Sequence, residues 1–83
     1  MENQSPLSLR AWFRIALEIA TDRHGEKRTV TWFARQHNVS KRSIYRVLDG
    51  HMTSARLERA IEEFIDAQLS YVDQQSDTLQ PTA

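Results

Sequence analysis

The chain of 83 residues has no cysteine, only two glycines and two prolines, and no formal net charge. Without cysteine there is no disulfide framework and no thiolate metal site, and nothing calls for an oxidising compartment. With Gly25 and Gly50 as the only glycines, no glycine-rich phosphate loop can be built. No apolar run approaches the length of a membrane span, and the opening Met-Glu-Asn-Gln-Ser-Pro lacks the basic and apolar regions of a signal peptide. The expectation is a cytoplasmic protein (bacterial cytoplasm or nucleoid, or a phage-infected host) with no membrane partner. His24, His37 and His51 have no spacing that sets two ligands on one helical face, and no strained nucleophile turn is present. Glu62 and Glu63 are adjacent and diverge on a helix, the wrong geometry for an acid–base pair. An enzyme is not expected, and no metal or cofactor is implied.

What the chain does have is segregated charge. All 11 Lys and Arg lie between Arg10 and Arg59, where five acids leave a net of +6, while from Ala60 onward five acids and no bases give −5. Ordinary surface charge with a solubilising tail would look like this; so would a nucleic-acid-binding face with its acidic pole turned away. At this length one domain with a small core is expected, enough for four or five short helices and too short for a separate effector or catalytic domain.

The most informative stretch is 29–50, T-V-T-W-F-A-R-Q-H-N-V-S-K-R-S-I-Y-R-V-L-D-G. Phe33, Ala34 and Val39 fall where two short helices crossing steeply need inward apolar positions, and Ala34 supplies the small side chain for a close approach. Asn38 tolerates the left-handed conformation of a sharp helix exit, and Ser40 is suited to cap the next helix. In that helix Ile44, Val47 and Leu48 share one face. Lys41, Arg42, Ser43, Tyr45 and Arg46 occupy the others, and Asp49-Gly50 closes it.

On either side, the spacing predicts two longer helices. The first opens at Ser5-Pro6 or Ser8, carries Leu9, Trp12, Phe13, Ala16, Leu17 and Ala20 on one face, and gives way to a loop or frayed end over 21–28. Ile15 and Ile19 widen its apolar arc beyond what one small core requires; they are either core wrapping between helices or part of a homodimer contact. Lys27 and Arg28 precede a helix that Thr29 or Thr31 caps, which suits either a phosphate contact or a solvated loop. The last helix, capped by Thr53 or Ser54, carries Leu57, Ala60, Ile61, Phe64 and Ile65 and continues to about Val72; Tyr71 and Val72 are further candidates for the dimer contact. The domains expected are a flexible N-terminus over 1–5, a domain over 6–72, and a disordered acidic and polar tail over 73–83.

The segment V-S-K-R-S-I-Y-R-V-L-D-G resembles the recognition half of the lambda-repressor-like helix-turn-helix superfamily, and especially the headpieces of lac-repressor-type regulators. Taken over the whole stretch 29–50 the resemblance covers about a quarter of the chain, and it departs from the family at His37, where an aliphatic core residue is usual, and at Trp32, where a polar one is. It implies a compact all-α fold containing a helix-turn-helix over 29–50, and a sequence-specific regulator of duplex DNA with helix 40–49 in the major groove. Lys41, Arg42, Ser43 and Arg46 would then reach base edges; Ser40, Tyr45, Arg35, Gln36, Lys27, Arg28 and Thr29 would meet the phosphate backbone. A stand-alone repressor from a bacterium, phage or mobile element, acting as a homodimer on a palindrome, fits best. The alternatives are a protein-interaction module such as an antitoxin or phage adaptor, with a regulatory protein partner, and a DNA-bending recombination accessory factor. Trp32 and His37 are expected to cover the core.

Overall fold

The computed structural model describes residues 7–79. They form a compact all-α domain of four helices: α1 (Leu9–His24), α2 (Val30–Gln36), α3 (Lys41–Leu48) and α4 (Ala55–Leu79). The expected N-terminal segment over 1–5, the possible helix start at Ser5-Pro6 and the last four residues of the tail lie outside the described residues.

Each helix starts on a hydroxyl. Ser8, Thr29, Ser40 and Ser54 accept from the backbone N–H three residues on, at 3.2, 3.1, 3.1 and 3.3 Å. Each cap satisfies one of the backbone donors that a helix start leaves without an internal partner. The exits use the left-handed region. Gly25 closes α1 at φ 71°, its N–H bonding the Thr21 carbonyl. At the end of α2, Asn38 has φ 57°, its N–H reaching the Arg35 carbonyl while that of Val39 reaches Ala34. This pair of bonds is a Schellman closure, which brings the side chains before and after the turn together. It explains Ala34 and Val39 as partners across the turn. Gly50 at φ 79° closes α3 in the same way, with His51 N–H on the Arg46 carbonyl at 2.8 Å.

The core sits where α1, α2 and α4 meet. Phe13, Phe33 and Phe64, one from each helix, are mutually packed at ring separations of 4.9, 5.8 and 5.2 Å. Around them Ala16, Leu17, Ala34, Ile44, Val47, Leu48, Leu57, Ile61 and Ile65 are buried. Trp32 packs at the edge, 5.9 Å from Phe64, and His37 lies 4.4 Å from Phe33 while closing α2. The two departures from the family pattern are therefore accommodated as aromatic cover on the phenylalanine cluster. α2, with seven residues, is too short to be stable alone, so it owes its form to this packing.

Two boundaries differ from expectation. α1 reaches His24, because nothing before Gly25 breaks the helix. α4 runs through Val72 to Leu79, so residues 73–79, expected to be disordered, are helical. That segment is poor in apolar residues but free of Gly and Pro, and a helix already formed extends at one hydrogen bond per residue fixed. Among the described residues no helix is long and apolar enough to cross a membrane.

Ala34 is 3% exposed at the α2–α3 turn. Ala34→Leu should overpack that site and lower stability by about 1–3 kcal/mol in urea denaturation; an unchanged midpoint would show that the turn has room for a larger side chain.

Candidate functional site

α3 presents two cationic edges. Arg42 and Arg46, one turn apart, are exposed on one side, and Ile44, Val47 and Leu48 bury the opposite face. Lys41 and Tyr45, also one turn apart, turn toward α1, where they line a groove of about 570 Å³ with Arg10 and Arg14. Thr29 and Thr31 at the start of α2 form another wall, and Phe13, Leu17, Val30 and Leu48 the apolar floor.

Arg10 fixes this groove's geometry. Its Nη1 donates to both carboxylate oxygens of Asp49, at 2.9 and 3.0 Å, and its guanidinium lies 4.9 Å from the centre of the Tyr45 ring. Asp49 sits at the C-terminal end of α3, where the helix dipole disfavours a negative charge, so the arginine offsets an unfavourable placement while tying α1 to α3. The groove therefore gathers three cations, the hydroxyls of two threonines and a tyrosine, and a rigid aromatic face. That chemistry suits an extended polyanion lying across α1, α2 and α3.

The candidate residues named from sequence separate into groups. Thr29, Lys41 and Tyr45 share the groove, and Arg42 and Arg46 extend its charge along α3. Arg35 is exposed one turn beyond Thr31 on α2. Ser40 and Ser43 are mutually engaged, their hydroxyl oxygens 3.0 Å apart and Ser40 capping α3. Gln36 lies elsewhere, in a groove between α2 and α4 with Trp32, His37 and Phe64. Arg28 is turned inward: it donates to Glu26 at 3.2 Å, lies 4.9 Å from the Trp32 ring centre and has a side chain 19% exposed. Its Nε is buried without a hydrogen-bond partner. Lys27 is exposed beside it and lines a separate groove with Arg14, Glu18 and Asp22.

Sequence reasoning missed Arg10, Arg14 and Thr31. The signal available was the i, i+4 spacing of the two arginines along one edge of α1; what they face depends on how α1 crosses α3. The candidate dimer residues also divide. Ile15 and Ile19 are half-buried, and Val72 is 42% exposed. Tyr71 is covered within the chain by Arg23, whose guanidinium lies 4.1 Å from its ring centre and whose Nη1 donates to Gln68 Oε1 at 3.0 Å. Among the described residues no group of three or more His, Asp or Glu is arranged to hold a metal ion.

The Arg10 pair is more than one-third exposed on both sides, at 54% and 35%. Arg10→Met should therefore lower stability by only about 0.2–1 kcal/mol, a difference that shrinks at high salt. Paired urea titrations at low and high ionic strength test this; a larger loss that salt leaves unchanged would assign the effect to packing of the side-chain stem.

No protein-family model, curated protein or solved structure matches the chain.

Proposed function

We propose that this domain is a helix-turn-helix module that binds duplex DNA sequence-specifically as a transcriptional regulator, a stand-alone repressor of a bacterium, phage or mobile element. The supporting observation is the set of basic residues that α3 and the adjoining groove expose: Arg42 and Arg46 on α3, and Lys41 and Arg14 with the Asp49-paired Arg10 around the groove. In this reading α2 and α3 are the helix pair and α3 is the recognition helix. An α-helix with its side chains is about 10–12 Å across, which fits the width of the major groove. Arg42 and Arg46 carry planar guanidinium forks on its exposed edge and suit guanine O6 and N7. Lys41, at the start of the helix, serves a base or the neighbouring phosphate.

Backbone contacts follow from the groove. Arg14, Thr31, Tyr45 and the partly engaged Arg10 border the path a phosphate strand would take past α3, and Arg35 extends it along α2. Such contacts fix register without reading sequence. Ser40 is both the helix cap and a phosphate neighbour, and Ser43 offers a base its remaining hydrogen-bonding capacity. Arg28, held between Glu26 and Trp32, supports the start of α2 and is not assigned to DNA. The acidic residues of α4 keep the opposite side of the domain away from the duplex.

Selection of bound sequences from a random duplex library, with purified protein at near-physiological salt, tests the proposal. Enrichment of a defined motif is the expected outcome; no enrichment, with binding that vanishes as salt rises, would reduce the face to non-specific attraction. On the selected site Arg42→Ala should cost about 1–3 kcal/mol of binding and leave affinity for unrelated duplex little changed. Equal losses on both would remove Arg42 from base reading.

A further inference from the structure

The apolar edge of α1 extends past the core. Ile15 and Ile19 are half-buried and stand outside the packed cluster, and on the same edge Trp12 lines a groove of about 240 Å³ with Leu9 and, from α4, Ile65 and Leu69. The remaining walls of that groove are Glu62 and Asp66. These two belong to a row on α4, Glu62, Asp66, Leu69 and Asp73, spaced by four, three and four residues, and all three of its acids are exposed. On α1 the exposed Glu18 and Asp22 follow Ile15 by three and seven residues, so they lie beyond the isoleucines on the side away from α4. The apolar strip has acids on both banks.

Nothing in the chain neutralises them. Among the described residues no ion pair engages any of these five carboxylates, and no Lys or Arg follows Arg59 in the sequence. The nearest bases on α4, Arg56 and Arg59, line a different groove with Ala55, Ala60 and Glu63, and Arg23 on α1 is engaged by Gln68 and Tyr71. Glu62 and Asp66, one turn apart, repel each other and weaken the helix that carries them. A cation from outside the chain turns that repulsion into attraction.

We propose that this flank of α1 and α4 docks a basic amphipathic helix of another protein. Its aliphatic side chains would seat against Trp12, Ile15, Ile19 and Leu69, and its lysines or arginines would lay their stems along the strip and reach Glu62, Asp66 and Asp73 with their charged ends. Charge selects this occupant. A second copy of the chain would set acid against acid, and nucleic acid or an anionic lipid surface would be repelled. Geometry selects the helix: the described residues offer no strand edge to pair the N–H and C=O groups of an extended segment, whereas a helix pairs its own. Arg10 and Arg14 lie along another edge of α1, so an occupied flank leaves their groove open. The docking is independent of the DNA-binding proposal.

A synthetic peptide of two Leu-Lys-Lys-Leu-Leu-Lys-Leu heptads, labelled with fluorescein and titrated with the full chain, tests the docking by anisotropy. The expected result is binding that weakens as salt rises and falls about tenfold or more when serine replaces every leucine, when glutamate replaces every lysine, or in the double variant Glu62→Gln, Asp66→Gln. Both substituted positions are exposed, so circular dichroism should show the same helix content. In nitrogen-15 spectra of the wild-type chain, the peptide should shift the indole N–H of Trp12 and leave that of Trp32 in place. Absence of binding, equal affinity for the serine peptide, full affinity in the double variant or a shift confined to Trp32 each overturns the proposal. A wild-type chain that sediments as a dimer and refuses the peptide also overturns it, giving the flank to a second copy. Docking that persists while library selection finds no motif would refute the DNA reading alone.

Discussion

Phe33 is the contact on which the domain depends. It joins the longest helices, α1 and α4, through Phe13 and Phe64, and it does so from a seven-residue helix that has no independent stability. With Phe33 held, α2 is formed and its end is fixed in space; the left-handed turn at Asn38 then dictates where α3 begins. Trp32 and His37 thicken the aromatic cluster on its solvent side, so residues that look misplaced against the resembling family shield the contact that anchors the pair.

The cationic face is a consequence of that chain of constraints. Ile44, Val47 and Leu48 commit one side of α3 to the core, which leaves Lys41, Arg42 and Arg46 exposed. The same packing brings α1 alongside, so that Arg14, and Arg10 in its pair with Asp49, border an open groove with Lys41. Charge separation along the sequence becomes separation in space because α4, which carries most of the acids, contributes to the core through its apolar stripe and exposes Glu62, Glu63, Asp66 and Asp73. A molecule with no net charge can thus present a polyanion with a positive face.

Local signals were readable wherever the chemistry is local. Hydroxyl caps, the Asn38 and Gly50 exits and the apolar spacing within each helix act over a few residues, and all are visible in the order of side chains. Where a helix stops was harder to read. Residues 73–79 look like a tail by composition, yet they simply extend an established helix, and composition says little about propagation once nucleation is done. Arg28 shows the opposite failure: beside Lys27 it reads as a free cation, but Trp32 and Glu26 draw it inward.

The sequence by itself determined an all-α chain, the caps and turns that divide it, the apolar face of each helix and the segregation of charge, because periodicity and capping depend on neighbours three or four residues away. Only the tertiary structure decided that Arg10 and Arg14 would join Lys41 and Tyr45, that Gln36 would face a different groove, and that Tyr71 would be covered by Arg23 while Ile15 and Ile19 remained outside the core. Those outcomes turn on how helices distant in sequence cross one another, and crossing is set by the shapes of packed side chains, here above all the three phenylalanines.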